Sequence, residues 1–192
     1  GALQISDDTT GVVTVADPTA LDYESSTTCT LAILATSTDG STAESTFTLD
    51  VLDSNEFTVT TPIDTNDDAN TVSEGASTGA MVGVVVSAVD ADGTTNAVTY
   101  VITAQSCAGA FSIDSGTGIV SVGDPTALDF DISPLCTLTV EATSADSSTA
   151  DEIFTVGLTD INDQTPVYTP QDTSPTVNEG VTSVDSVSII DT

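Results

Sequence analysis

The sequence contains no lysine, arginine or histidine in 192 residues, against 30 aspartates and glutamates, which gives a formal net charge of −30. A chain without basic side chains cannot displace counterions from nucleic-acid phosphates or settle on an anionic membrane surface, and both partners are excluded. It cannot assemble a Ser/His/Asp set, and nothing in it would hold a cysteine thiolate beside a cation. No glycine-rich phosphate loop is present. Tryptophan is absent and aromatics make up 4%, which leaves little for the stacking platforms that accompany the paired carboxylates of a glycosidase. No enzymatic activity is expected. No apolar run approaches the ~20 residues of a membrane helix, so no membrane insertion is expected in this segment. No Asn-x-Ser/Thr sequon occurs, so any glycan would be O-linked. The chain opens at Gly1 without an initiator Met or a signal-peptide pattern, and a mature or excised fragment is expected.

What is present is material for a packed core. Hydrophobic residues reach 39%, and they fall as Val, Ile, Leu and Ala in short alternating runs, which argues against disorder despite the charge. The runs Val82–Val89, Ala97–Ile102, Ala110–Ile113, Gly118–Val122, Cys136–Ala142 and Glu152–Leu158 read as strands, separated by Asp-Gly, Ser-Gly and Asp-Pro turn signals. No window has a helical period. The self-repulsion of so many carboxylates has to be relieved from outside the chain, and calcium, which prefers oxygen ligands, is the natural agent. Ser and Thr supply about three in ten residues, a bias of extracellular and O-glycosylated chains.

The chain repeats itself. Residues 11–30 read GVVTVADPTALDYESSTTCT and residues 118–137 read GIVSVGDPTALDFDISPLCT, with DPTALD identical at Asp17–Asp22 and Asp124–Asp129. Cys29 and Asp39 match Cys136 and Asp146 at the same offset, and TVSEG at Thr71–Gly75 recurs as TVNEG at Thr176–Gly180. A spacing of about 107 residues is that of a sandwich domain rather than a short solenoid unit. Around seven strands per repeat predict an all-β fold of tandem Greek-key β-sandwiches. The expected division is the later part of one repeat at 1–56, a complete repeat at 57–163 and the early part of another at 164–192. Such ends would suit a longer array, or a fibre in which the trailing part of one copy completes the leading part of the next.

Three cysteines point to an oxidising compartment. Cys107 and Cys136 would lie just before the fourth strand and at the start of the sixth. If bonded, they would close a loop of about 30 residues. Cys29 matches Cys136, and its expected partner would fall just before Gly1.

Acidic motifs recur at positions that a sandwich would bring to its two ends. VSEG carries Glu74; VDADG carries Asp90 and Asp92 and is followed by Asn96; LDYE and LDFD carry Asp22, Glu24, Asp129 and Asp131; DSNE and DINDQTP carry Asp53, Asn55, Glu56, Asp160, Asn162 and Asp163. VSAVDADGTTNAVTYVI resembles the second and third strands of the cadherin family with its Asp-x-Asp and Asn-Ala motifs. LDYE and LDFD resemble the family's Leu-Asp-Arg-Glu motif, and DINDQTPVY its Asp-x-Asn-Asp-Asn-x-Pro linker. The resemblance implies calcium held between consecutive repeats. The first junction would use Asp22, Glu24, Asp53, Asn55 and Glu56 with Asp90, Asp92 and Asn96, and Asp146 stands beside this set at a spacing slightly off the family's. The second would use Glu74, Asp129, Asp131, Asp160, Asn162 and Asp163 with Asp191, and it is expected to be the better site, because Glu56 replaces an Asp in the first. Tyr23 and Phe130 replace an Arg that is not a ligand in the family.

The expected function is therefore an extracellular or cell-surface structural and adhesive segment with calcium-stiffened junctions. Its partners would be neighbouring repeats or further copies in a head-to-tail array or fibre, with O-linked glycans as an addition. The alternatives are an O-glycosylated fibril subunit without a calcium requirement, and a ligand-binding adhesin.

Overall fold

The computed structural model describes residues 1–165, 167–170, 179–180 and 187–190. Its strands in chain order are β1 (Leu3–Asp7), β2 (Val12–Val15), β3 (Thr28–Thr36), β4 (Thr42–Asp50), β5 (Ile63–Asp64), β6 (Thr71–Ser73) and β7 (Met81–Ser87). There follow β8 (Val98–Gln105), β9 (Phe111–Ile113), β10 (Ile119–Val122), β11 (Leu135–Ser144), β12 (Thr149–Thr159), β13 (Val167–Pro170) and β14 (Val187–Ile190). The six strands read from hydrophobic alternation correspond to β7–β12, with ends displaced by no more than three residues.

Strands β5–β12 make two four-stranded sheets, ordered β5-β7-β10-β9 and β6-β12-β11-β8. Alternation decides which residues face inward. In β7, Val82, Val84 and Val86 are buried, and β10 contributes Val120 and Val122. These meet Leu138, Val140 and Ala142 of β11 and Val156 and Leu158 of β12 from the opposite sheet. The outer face of the long β11–β12 ladder carries pairs such as Thr137 opposite Thr155, along with exposed Leu135 and Ile153. The Cys107–Cys136 disulfide forms across a sequence separation of 29 and is part of this core. Cys29 is unpaired among the described residues.

The opening strand of this repeat is split between the sheets. β5 pairs antiparallel with β7, and β6 pairs parallel with β12, so the sandwich is not purely antiparallel. The side chains of Asp64, Asn66 and Asn70 hold the crossing: Asp64 Oδ1 accepts from the Val85 N–H at 3.0 Å and Asn70 Nδ2 donates to Asp64 Oδ2 at 2.9 Å.

Before this repeat lie two hairpins, β1–β2 and β3–β4, which align in sequence with β9–β10 and β11–β12. After it, β13 and β14 pair antiparallel. The repeated DPTALD segment makes the same short 3₁₀ turn twice, at Pro18–Ala20 and Pro125–Ala127. Asp17 and Asp124 cap these turns by accepting from the N–H and hydroxyl of Thr19 and Thr126, and Pro supplies the fixed φ of the first position. Each turn leads directly into an Asp, Asp22 or Asp129, at the end of the repeat.

Candidate metal centre at the first repeat junction

Three pieces of chain meet where the first hairpins give way to the complete repeat. The turn after DPTALD brings Asp22 and Glu24, the connecting segment brings Asp53, Asn55 and Glu56, and the loop between β7 and β8 brings Asp90 and Asp92. The segment has no regular structure of its own and is fixed by side chains. Asp92 Oδ1 accepts from the backbone N–H groups of Glu56 and Phe57, both at 3.2 Å. The Val59 N–H donates to Ser148 Oγ at 2.9 Å, and Asn55 Nδ2 donates to Asp146 Oδ2 at 3.0 Å. From the other side, Glu24 Oε1 accepts from the Gly93 N–H at 2.8 Å, and Asp53 Oδ2 accepts from the N–H and hydroxyl of Thr94.

Two carboxylate groupings result. Glu24, Asp53 and Glu56 each place an oxygen within 4.8 Å of the others, and so do Asp90, Asp92 and Asp146. The second grouping is enclosed, with Asp90 and Asp92 exposed by 5% and 1%. Asp90 Oδ1 accepts from the Asp92 N–H at 3.2 Å, but Asp90 Oδ2, Asp92 Oδ2 and Asp53 Oδ1 are buried without a hydrogen-bond partner. A buried anionic oxygen with no donor is costly, and this chain has no basic side chain to pair with it. The donor set is all oxygen and multiply negative, which suits a hard divalent cation. Glu56, although exposed overall, has its carboxyl held above its usual value by desolvation and then by the nearby charges of Glu24, Asp92, Asp53 and Asp22.

The remaining expected members play supporting parts at this junction. Asn96 Nδ2 donates to the Asp92 carbonyl at 2.7 Å and tightens the loop. Asp22 accepts from the Ser25 hydroxyl at 2.7 Å and the Ser25 N–H at 3.0 Å, and these bonds keep its carboxyl below the usual range. Asp146 belongs to the enclosed grouping, and the sequence had placed it only at the margin. Its repetition at Asp39 was the available signal. Ser148 and Thr94 carried no signal: single hydroxyl residues are common in this chain, and only the fold shows which ones face the junction.

At the second junction, Glu74 is the organiser. Its Oε2 accepts from the Phe130 N–H at 2.6 Å and its Oε1 from the Ile161 N–H at 2.7 Å, and these two bonds hold its carboxyl below its usual value. Asp160 is pushed the other way, by desolvation first and then by Asp131, Glu74 and Asp163. Asp129 accepts from the Ile132 N–H at 2.9 Å, and Asp131, Asn162 and Asp163 are exposed. Asp191 lies outside the described residues. Among the described residues, both three-carboxylate groupings fall at the first junction.

Comparison with known proteins finds likeness to the family that these motifs resemble. Residues 69–159 match the model of the cadherin domain. Human Protocadherin-16 is 37% identical over 81 residues, covering 42% of this chain and 2% of the relative. Human Protocadherin Fat 1 is 43% identical over 93 residues, covering 47% of this chain and 2% of its own length. The chain thus spans about 2% of the length of these relatives. In structure, it is similar to mouse cadherin-23 EC22-24, with a TM-score of 0.75 at 24% identity over 100% of this chain and 61% of that one. At this identity the likeness carries the fold alone.

Proposed function

We propose that the chain is an extracellular or cell-surface segment of cadherin-like repeats, a reading supported by the match of residues 69–159 to the cadherin-domain model, and that its junctions bind calcium and are stiffened by it. The observation that carries this reading is the pair Asp90 and Asp92: enclosed, anionic, each with an unpartnered oxygen, in a chain without basic side chains. In the first junction the ion would be held by Asp22, Glu24, Asp53, Asn55, Glu56, Asp90, Asp92 and Asn96, joined by Asp146. In the second the corresponding residues are Glu74, Asp129, Asp131, Asp160, Asn162, Asp163 and Asp191. A bound divalent cation supplies the positive charge that the sequence lacks and up to eight positions for oxygen ligands.

The chain's own residues do the mechanical part. Asp92 fastens the connecting segment to the complete repeat through two backbone amides, while Glu24 and Asp53 reach across from the first repeat to Gly93 and Thr94. Neutralising their carboxylates removes the repulsion that opposes this closure, and a flexible joint becomes a fixed one. We take the repeats as 1–56, 57–163 and 164–192 of a longer array, with neighbouring repeats or further copies as partners and a structural, adhesive role. Titrating calcium into chelator-treated protein tests the reading. The thermal midpoint is expected to rise and the spread of molecular dimensions in X-ray scattering to narrow. If neither responds, the calcium assignment is wrong.

A further inference from the structure

Glycines in this fold meet different needs. Gly11, Gly40, Gly79 and Gly109 have positive φ and open space where a Cβ would stand, so they serve turns. Gly93 is not among the positive-φ glycines. A Cβ there would collide with the Tyr23 ring, at Cε1 and Cδ1, and come within 3.0 Å of Glu24 Oε1. Gly93 is a contact glycine, present because an aromatic ring from the preceding repeat lies against its backbone. Tyr23 also lines a pocket of mixed polarity on the first hairpins, beside Leu3, Val15, Leu21 and Leu49 and with Asp50 and Glu56. One side chain therefore touches both the first hairpins and the acidic loop between β7 and β8.

We infer that Tyr23 is the positioning residue of the first junction: seated on Gly93, it holds the two repeats in register and delivers Glu24 to the Gly93 amide without any bound ion. The Glu24–Gly93 hydrogen bond lies at an exposed position, so its persistence depends on the ring that fixes Glu24 beside the Gly93 backbone rather than on burial. The neighbouring Asp53–Thr94 bond reaches the same loop. A comparable contact occurs at the second junction, where a Cβ on Gly75, also outside the positive-φ set, would collide with Ile161 Cδ1. This inference rests on the calcium reading only in naming Glu24 as a ligand, since the seat itself is made of protein atoms.

Amide hydrogen exchange by NMR on the full 192-residue protein, in excess chelator, tests the seat. The Gly93 and Thr94 amides are expected to exchange at least tenfold more slowly than unprotected amides. Tyr23→Ala should abolish that protection, and Gly93→Ala should do so from the other side. Tyr23→Phe should retain it, because no bond to the hydroxyl is used. The β11–β12 amides report folding of the complete repeat and should be unchanged in every variant. Unprotected Gly93 in the parent protein, or protection that survives Tyr23→Ala, would overturn the inference. Calcium titration of the same samples separates the two ideas. Protection without calcium binding would sink the calcium reading and leave the seat standing. Calcium binding with an unprotected Gly93 would do the reverse.

Discussion

Replacing Asp92 by Asn should change stability with opposite sign in the presence and absence of calcium. The side chain is 1% exposed; its Oδ1 takes two backbone amides from the connecting segment, and its Oδ2 has no partner. Asn keeps the shape and can keep the Oδ1 bonds, so the substitution isolates the charge. A ligand that binds only the folded state contributes about 2.7 kcal/mol per site when present at 100 times its dissociation constant. For a repeat of roughly 100 residues, unfolding entropy near the midpoint is about 0.2 kcal/mol per degree, so one such site raises the midpoint by about 13 °C. A tenfold weaker site loses about 1.4 kcal/mol of this, or about 7 °C. In chelator the logic inverts. The Asp92 charge is then buried beside Asp90 and Asp146 with nothing to offset it, and the neutral amide should raise the midpoint by on the order of 5 °C, equivalent to ~1 kcal/mol. Scanning calorimetry of both proteins with calcium and with chelator gives all four midpoints. A lower midpoint for Asp92→Asn in chelator, or an undiminished calcium response, would refute the reasoning.

Three further outcomes are expected. Gly118 sits at φ +70° against the Val86 carbonyl, where a Cβ has no room, so Gly118→Ala should cost more than the ~1 kcal/mol of the left-handed conformation alone, read by denaturant melts. Reducing the Cys107–Cys136 disulfide, which closes a loop of sequence separation 29, should remove about 3–4 kcal/mol in the chain-entropy model and lower the midpoint of the complete repeat accordingly. On pH, Glu74 and Asp146 have folded values below their usual ones, so their contribution is present above the unfolded carboxyl value and lost as pH falls through the folded one. Glu56 and Asp160 are raised, so theirs is present at low pH and lost as pH rises through the folded value. Calcium binding should therefore release more protons at pH 5 than at pH 7, measurable by titration calorimetry in buffers of different ionisation heat.

Much of the fold was legible because the strands alternate. Val82, Val84 and Val86 announce an inward face, and so do Leu138, Val140 and Ala142; the repetition of DPTALD appears in the fold as the same short turn made twice. The split of the opening strand was not legible. β5 and β6 are two and three residues long, too short for a period-2 pattern, and the crossing between them depends on Asp64, Asn66 and Asn70, which read only as polar loop. At the site, each acidic motif was legible as a run of carboxylates near a turn signal, and Glu24, Asp53 and Glu56 come together in the fold, as do Asp90, Asp92 and Asp146. Glu56, which stands where the family has an Asp, groups with Glu24 and Asp53 among the described residues. Tyr23 was passed over: as a non-ligand position it had no coordination chemistry, and its role depends on a glycine 70 positions away.

The absence of basic residues divides the acids of this chain into two chemistries. Asp7, Asp17, Asp39 and Asp124 each accept from the N–H and hydroxyl of the Thr or Ser two positions on, and Asp114 does the same with Thr117. These bonds stabilise the ionised form, and the Asp7 carboxyl is lowered to about 2. Local hydroxyl and amide donors thus take the place that ion pairs hold elsewhere, which gives the high Ser and Thr content a structural reason beside any glycan. At the first junction this solution is incomplete: Asp22 takes the Ser25 N–H and hydroxyl and Asp53 those of Thr94, but other oxygens there are left over. Asp53, Asp90 and Asp92 each keep a buried oxygen that no neighbouring hydroxyl reaches. Chelation should therefore leave the turns intact and loosen the joints, because among the described residues the buried carboxylate oxygens without a partner lie at the first joint.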